Sequence, residues 1–260
     1  MGESGPGGKR ATPSSVVDRA VAAGAHPAAG ARLSEIRAAI VGCTLCPRLR
    51  TYCTRIAHDR KAAHRDEVYW GKPVPGFGDP EARLLIVGLA PAAHGGNRTG
   101  RTFTGDGSGD FLMSALHRTG FANIPTSRAA DDGLLLRDAY ILAAVRCAPP
   151  DNKPLPEEIA RCRRHMVAEI GALPRVRVVV ALGKIGHDAY LAYRAEQGHR
   201  IRPRPAFGHG SRATFDPGAG LPALLGSYHP SRQNTNTGKL TPPMLEGIFR
   251  AARTIIESPA

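Results

Sequence analysis

Four continuous apolar runs, residues 83–88 (RLLIVG), 139–145 (AYILAAV), 176–182 (VRVVVAL) and 223–226 (ALLG), constrain the fold of this chain more than any other feature. None of them alternates apolar with polar residues, so none suits a strand with one wet face. Continuous hydrophobicity fits strands of a parallel sheet covered on both sides. The stretches at 109–118 (GDFLMSALHR), 155–170, 185–195 and 243–256 carry apolar residues at helical spacing. Strands and helices in alternation predict an α/β fold, layered α/β/α. In such sheets ligands bind beyond the carboxyl ends of the strands, and the unusual segments of this chain follow the strands.

At 260 residues the chain suffices for one large domain, and nothing in its pattern demands two. Residues 1–31, rich in Gly, Ala, Pro and Ser, are expected to be a mobile tail with at most a short helix over 16–23, leaving 32–260 as a single domain. From residue 33 the segment LSEIRAAIVGC has helical spacing with Ser34 as N-cap, which puts the first cysteines at that helix's C-terminal end. Residues 68–80 read as turns. No apolar run approaches the roughly 18 residues of a membrane span, and the N-terminus has no signal-peptide core. The expected location is cytoplasmic, without membrane contact. A formal net charge of +13 and a pI near 10.1 favour a polyanionic partner, because clustered Lys and Arg displace counterions from phosphates. A solvated arginine-rich surface is the plainer account of the same charge.

Four of the five cysteines form two distant pairs: Cys43 and Cys46 in a CxxC, then Cys147 and Cys162. An intracellular-looking chain has little use for disulfides, so thiolates at fixed spacing point to zinc or an iron–sulfur cluster. Zinc modules usually carry two short hooks, whereas the second pair here is spread wide, which favours a cluster. Cys53 stands outside the pattern. A redox role for CTLC is disfavoured because the CxxC closes a helix rather than opening one.

The segment after the first run, residues 88–110, is GLAPAAHGGNRTGRTFTGDGSGD. Its glycines allow close backbone approach to a ligand, and Asn97, Arg98 and Arg101 are expected to meet phosphates. It matches no P-loop. Gly88, Ala90 and Ala92 are expected to line a ligand pocket beyond the strand's end. Phe103 either stacks a base or folds inward to anchor the loop. Asp106 either orients a water or caps the following helix, two compatible roles. After the second run, Asn152 lies five residues from Cys147 and either positions its amide for chemistry or serves as a turn former. The last run leads into GSYHPSRQNTNTGKLTPP, which places His229 at a strand terminus beside the expected ligand. Histidines 94, 117, 165, 187 and 209 lack such a context.

Taken together, GLAPAAHGGNRTGRTFTGD, AAVRCAPPDNKP and SYHPSRQNTNTG resemble the three motifs of the uracil-DNA glycosylase superfamily, most closely its family 5, the type-B enzymes. The resemblance runs from about residue 33 to 256. It implies a central four-stranded parallel sheet, a 4Fe-4S cluster on Cys43, Cys46, Cys147 and Cys162, and a monomeric, monofunctional enzyme that flips uracil out of DNA and hydrolyses its glycosidic bond. Such an enzyme associates with the nucleoid through DNA. By the same resemblance His229 donates a hydrogen bond to uracil O2, Phe103 stacks on the base, and Asp106 or Asn152 holds the water. Ser231, Arg232, Gln233 and Asn234 belong to a loop that enters the minor groove, with Arg232 as its wedge.

The chain also departs from better-known branches. Where those carry a polar side chain shortly after the first strand, it has Leu89, Ala90, Pro91, Ala92 and Ala93, and no uracil-reading Asn precedes the third cysteine. Discrimination is therefore expected to be loose, extending to hydroxymethyluracil, hypoxanthine or ethenocytosine. The rival reading is a non-enzymatic nucleic-acid-binding module with structural zinc, which leaves the Gly-rich and HPS segments unexplained.

Overall fold

The computed structural model describes residues 27–215 and 220–258. The short helix expected over 16–23 lies outside them. Four strands form the centre, fully buried but for the first residue of the last: β2 (Leu84–Gly88), β3 (Ala139–Ala143), β4 (Val178–Leu182) and β6 (Ala223–Ser227). They pair in parallel in the order β3-β2-β4-β6. Two antiparallel edge strands that the sequence did not announce, β1 (Phe77–Gly78) and β5 (Arg212–Ala213), extend the sheet to six. Each is two residues long, too short to show periodicity.

Side chains alternate across the sheet, which divides each apolar run between two cores. Leu84, Ile86, Ile141, Val178 and Val180 face α4 (Gly107–Arg118) and α8 (Pro242–Glu257), packing on Leu112, Leu116, Leu245 and Phe249. Leu85, Val87, Leu142, Val179 and Ala181 face α5 (Pro156–Gly171) and α6 (Lys184–Glu196), packing on Met166, Ile170 and Tyr190. Each buried Val, Leu, Ile, Phe or Met among them stabilises the fold by about 1.5–3 kcal/mol relative to exposure.

The N-terminal helix α1 spans Pro27–Val41, so it starts inside the stretch expected to be tail, and Ser34 lies within it rather than at its cap. A second helix, α2 (Pro47–Asp59), begins directly after Cys46, which occupies its N-cap position. The CxxC therefore both closes one helix and opens another. That removes the helix-position argument against thiol redox chemistry. Burial nevertheless holds the Cys46 thiol above its ordinary pKa, the reverse of an activated nucleophile. Two short helices, α3 (Gly96–Thr99) and α7 (Arg232–Asn236), lie in the loops that follow β2 and β6. Among the described residues no helix is long and apolar enough to cross a membrane.

Candidate active site

The chain order β3-β2-β4-β6 changes direction between β2 and β4, and in such sheets ligands bind beyond the strands' carboxyl ends at that point. Gly88 closes β2, Leu182 closes β4, and His229 follows β6 by two residues. Gly183, just past β4, is close enough to His229 that a Cβ there would stand 3.4 Å from the His229 Cβ. The loops after β2 and β6 meet there.

Their meeting point is a stacked pair, Phe103 and His229, with ring centroids 5.6 Å apart and planes inclined by 30°. Phe103 is buried and belongs to the core beneath the sheet end, so the inward reading of this residue holds, yet the same ring also supports the imidazole. Its backbone is left-handed, φ 52°, a conformation that costs a bulky residue energy and is held by its surroundings. Two glycines make room for it. A Cβ on Gly88 would lie 2.9 Å from Phe103 Cε2, and one on Gly109 would lie 2.3 Å from the Phe103 carbonyl oxygen.

His229 keeps part of its surface open to solvent but sits deep among protein atoms, and desolvation pushes its pKa down to about 4. The ring is neutral at physiological pH. Asn234 Nδ2 donates to the His229 carbonyl at 2.8 Å and fixes the backbone from which the imidazole projects. The depressed pKa links folding to pH. Because the folded value lies below the unfolded value near 6.5, the stability it carries is complete above 6.5 and is lost as pH falls toward about 4. Between pH 7 and pH 5 the wild type is expected to lose about 2 kcal/mol more than His229→Gln does, measured by urea unfolding. Equal losses would contradict a buried neutral ring.

Asp106 caps α4: its Oδ1 accepts from Gly109 N at 2.9 Å. The second oxygen faces Gly95, where a Cβ would come within 2.1 Å of Oδ2. Burial raises the Asp106 pKa, against the lowering effects of the Gly109 and Ser108 amides and of Arg232. Arg232 lies near the start of the same helix, since a Cβ on Gly107 would be 3.6 Å from Arg232 Nε. Asn152 is exposed at the end of a single 3-10 turn (Pro150–Asn152), where Asp151 and Asn152 both have positive φ, 54° and 56°. Among the described residues its side-chain amide makes no hydrogen bond, so none joins it to Phe103, Asp106 or His229.

Several expected DNA contacts are turned inward. Asn97 is fully buried and donates to Cys53 O at 3.3 Å, tying α3 to α2. Arg98 is buried and spends its donors on His94 O, Gly105 O and Glu67. Arg101 is buried: its Nη2 reaches both Asp132 carboxylate oxygens at 2.8 Å and Ser127 Oγ at 3.0 Å, while Nε donates to Thr104 Oγ1 and Nη1 to Ala130 O. These side chains brace a glycine-rich loop from inside, because a segment with so little side-chain mass has no other source of rigidity. They are not available to phosphates. Ala90 packs instead against the cysteine-bearing core, while Ala92 accepts the Gly95 and Asn97 amides through its carbonyl. In the last loop Ser231 caps α7 through its Oγ, Asn234 serves His229, and Arg232 and Gln233 project to solvent.

One contributor escaped sequence reasoning. His209 Nδ1 accepts the Tyr228 N–H at 3.3 Å, and its ring lies 5.2 Å from that of Tyr228, immediately before His229. Accepting at Nδ1 leaves the proton on Nε2. The contact depends on β5 pairing with β6, which no local pattern announces.

The four paired cysteines do come together. Cys43, Cys46, Cys147 and Cys162 wall one cavity with Leu49, Arg50 and Arg146, and all are free thiols. Cys53, buried in α2, stands beside them with its thiol toward Ala148 O at 3.5 Å. Among the described residues no three His, Cys, Asp or Glu side chains converge on a point suited to one metal ion.

Residues 75–253 match the family described as the uracil DNA glycosylase superfamily. The chain belongs to this family. A type-5 uracil-DNA glycosylase of Thermus thermophilus is 53% identical over 215 residues, covering 82% of this chain and 94% of its own. The type-5 enzyme of Mycobacterium bovis is 48% identical over 224 residues, covering 86% and 81%, and that of Pyrobaculum aerophilum 45% over 213 residues, covering 82% and 88%. A type-4 uracil-DNA glycosylase of Pyrobaculum aerophilum is 31% identical over 134 residues, 51% of this chain. The likeness is thus to the type-5 branch over most of the chain. Within the glycosylase family this chain is one whose first motif holds no acid between Leu89 and Ala93, so its nearest carboxylate on that loop is Asp106.

Proposed function

We propose that this chain is a monofunctional uracil-DNA glycosylase that leaves an abasic site. The observation that carries the reading is the Phe103–His229 stack at the sheet's switch point, with the Asp106 carboxyl on the adjoining helix start. A base within a duplex is out of reach, so the nucleotide must be extruded, and a mispaired uracil is the cheaper one to extrude. When the bond between C1′ and the base nitrogen breaks, its electron pair passes into the uracil ring and negative charge grows on O2. A neutral imidazole N–H meets that charge without needing reorganisation, an effect typically worth about 2.7–4 kcal/mol. Water adds to C1′, and its proton leaves toward the Asp106 carboxylate, whose raised pKa suits it to accept. The exposed, unpaired amide of Asn152 is the second candidate for holding that water.

A 4Fe-4S cluster is the cofactor we assign to Cys43, Cys46, Cys147 and Cys162. A cluster distributes its thiolates over several irons, which accords with thiols spread around a cavity rather than focused on one point. Four thiolates leave no open position, so the cluster's contribution is structural: it staples the α1–α2 junction to β3's exit and to α5.

The decisive experiment is cleavage of a uracil-containing duplex followed by alkali. Strand breaks at uracil are expected, and none with the wild type would overturn the reading. On matched oligonucleotides the absence of a uracil-reading amide predicts detectable excision of hydroxymethyluracil, hypoxanthine or ethenocytosine as well; strict uracil specificity would refute that extension. Arg232 is exposed at the rim of the site. Arg232→Ala is expected to weaken binding to duplex about tenfold while changing single-strand binding little, as a residue that fills the vacated stack should. Equal losses on both substrates would reject the wedge role.

A further inference from the structure

We infer that Arg146 is a cofactor-site residue, the buried cation that offsets the negative charge of the thiolate cradle and sets the redox balance of the cluster assigned above. The inference rests on that assignment and adds to it a residue that is not a ligand.

Arg146 is 1% exposed and is the largest fully buried side chain among the described residues. It stands between two of the cysteines. Its backbone N–H donates to Cys162 Sγ at 3.2 Å, and its peptide leads directly into Cys147. Arg146 lines the same cavity as all four cysteines. Burying a guanidinium is costly, and such a group normally has its N–H donors satisfied. Here Nε and Nη1 lack a hydrogen-bond acceptor, and only Nη2 has a partner, the Glu169 carboxylate. The Glu169 carboxylate forms an ion pair with Nη2 through Oε2, while its Oε1 is committed to Gly76 N at 2.8 Å and to the Tyr140 hydroxyl at 3.1 Å. A buried cation with orphaned donors, on the wall of a cavity of four thiols, fits an anionic occupant.

A cluster held by four thiolates carries net negative charge, and its potential responds to nearby charge and to hydrogen bonds at sulfur. Arg50 donates from Nη1 to Cys147 Sγ at 4.0 Å and from Nη2 to Gly71 O at 2.9 Å, but it is only half-buried. Arg161 lines the cavity from an exposed position. Arg146 is the cation that solvent cannot screen. Glu169 opposes it, so the two residues act on the cluster with opposite sign.

The test is a spectroelectrochemical titration of the purified, iron-loaded protein near 400 nm. Arg146→Met removes the cation and keeps the volume, and is expected to disfavour reduction at least tenfold, a midpoint about 59 mV lower. Glu169→Gln unmasks the cation while keeping an acceptor for Gly76 and Tyr140, and is expected to move the midpoint upward. Opposite shifts are a signature that a packing role alone would not produce. If Arg146→Met fails to retain iron, Glu169→Gln decides by itself, and a midpoint within twofold of wild type overturns the inference. Shifts of the same sign in both variants also overturn it. Metal analysis of the wild type comes first, because zinc in place of iron and sulfide would overturn the cluster assignment, and this inference with it, independently of any potential.

Discussion

His229→Ala is expected to slow uracil excision by about 10²–10³-fold at saturating substrate, while duplex binding changes little. The imidazole is the preorganised donor proposed to face the departing O2, and removing one such donor typically has that effect on kcat. The loss belongs to the transition state, because charge on O2 appears only as the glycosidic bond breaks. With a pKa of about 4 the ring acts as a neutral donor. His229→Gln, which retains an N–H, should therefore recover part of the rate. Single-turnover excision with excess enzyme separates the chemical step from product release. Full activity in His229→Ala would remove the imidazole from the mechanism.

Gly109→Ala is the second large effect, and it acts through shape alone. A Cβ at Gly109 would stand 2.3 Å from Phe103 O, 2.7 Å from Phe103 C and 3.2 Å from Thr104 N. All three are backbone atoms, so no side-chain rotation can relieve the clash. Either α4 withdraws or the left-handed turn at Phe103 opens, and both break the cap between Asp106 and Gly109. A destabilisation on the order of 1–3 kcal/mol is expected for such overpacking, a fall in Tm of several degrees in a domain this size. Excision should fall further than stability, since Phe103 would leave His229. Gly107→Ala is the matched control: its Cβ would meet only Arg232 Nε, at the ordinary distance of 3.6 Å. A Gly109→Ala protein with wild-type Tm and rate would show that the Phe103 turn is not held as described.

The strands were legible because burial on both faces keeps charged residues out of them, with only Ser227 and the Tyr140 hydroxyl as polar groups, and the observed bounds of β2, β3, β4 and β6 differ from the apolar runs by no more than two residues at either end. His229, Asp106 and the cysteine set were legible for another reason: each occupies a segment whose composition is unlike its surroundings. The roles of Asn97, Arg98 and Arg101 were not. A polar residue in a glycine-rich loop looks the same in sequence whether it faces DNA or braces the loop, and only the acceptors at Cys53, Gly105 and Asp132 distinguish the two. Helix α2 escaped notice because its polar, arginine-rich stretch buries only Leu49 and Cys53. Two buried positions make no readable periodicity.

By itself, then, the chain's sequence determined an α/β/α domain on parallel strands, the segments that bear its chemistry, and kinship with the uracil-DNA glycosylases, because hydrophobic runs and residue motifs are local properties. Tertiary structure decided which of those residues face each other. It stacked Phe103 on His229 across 126 positions of sequence, set His209 behind Tyr228, and enclosed Arg146 with the four thiols. Contacts of that kind depend on strand order and on what a glycine leaves empty, and neither is written in any single segment.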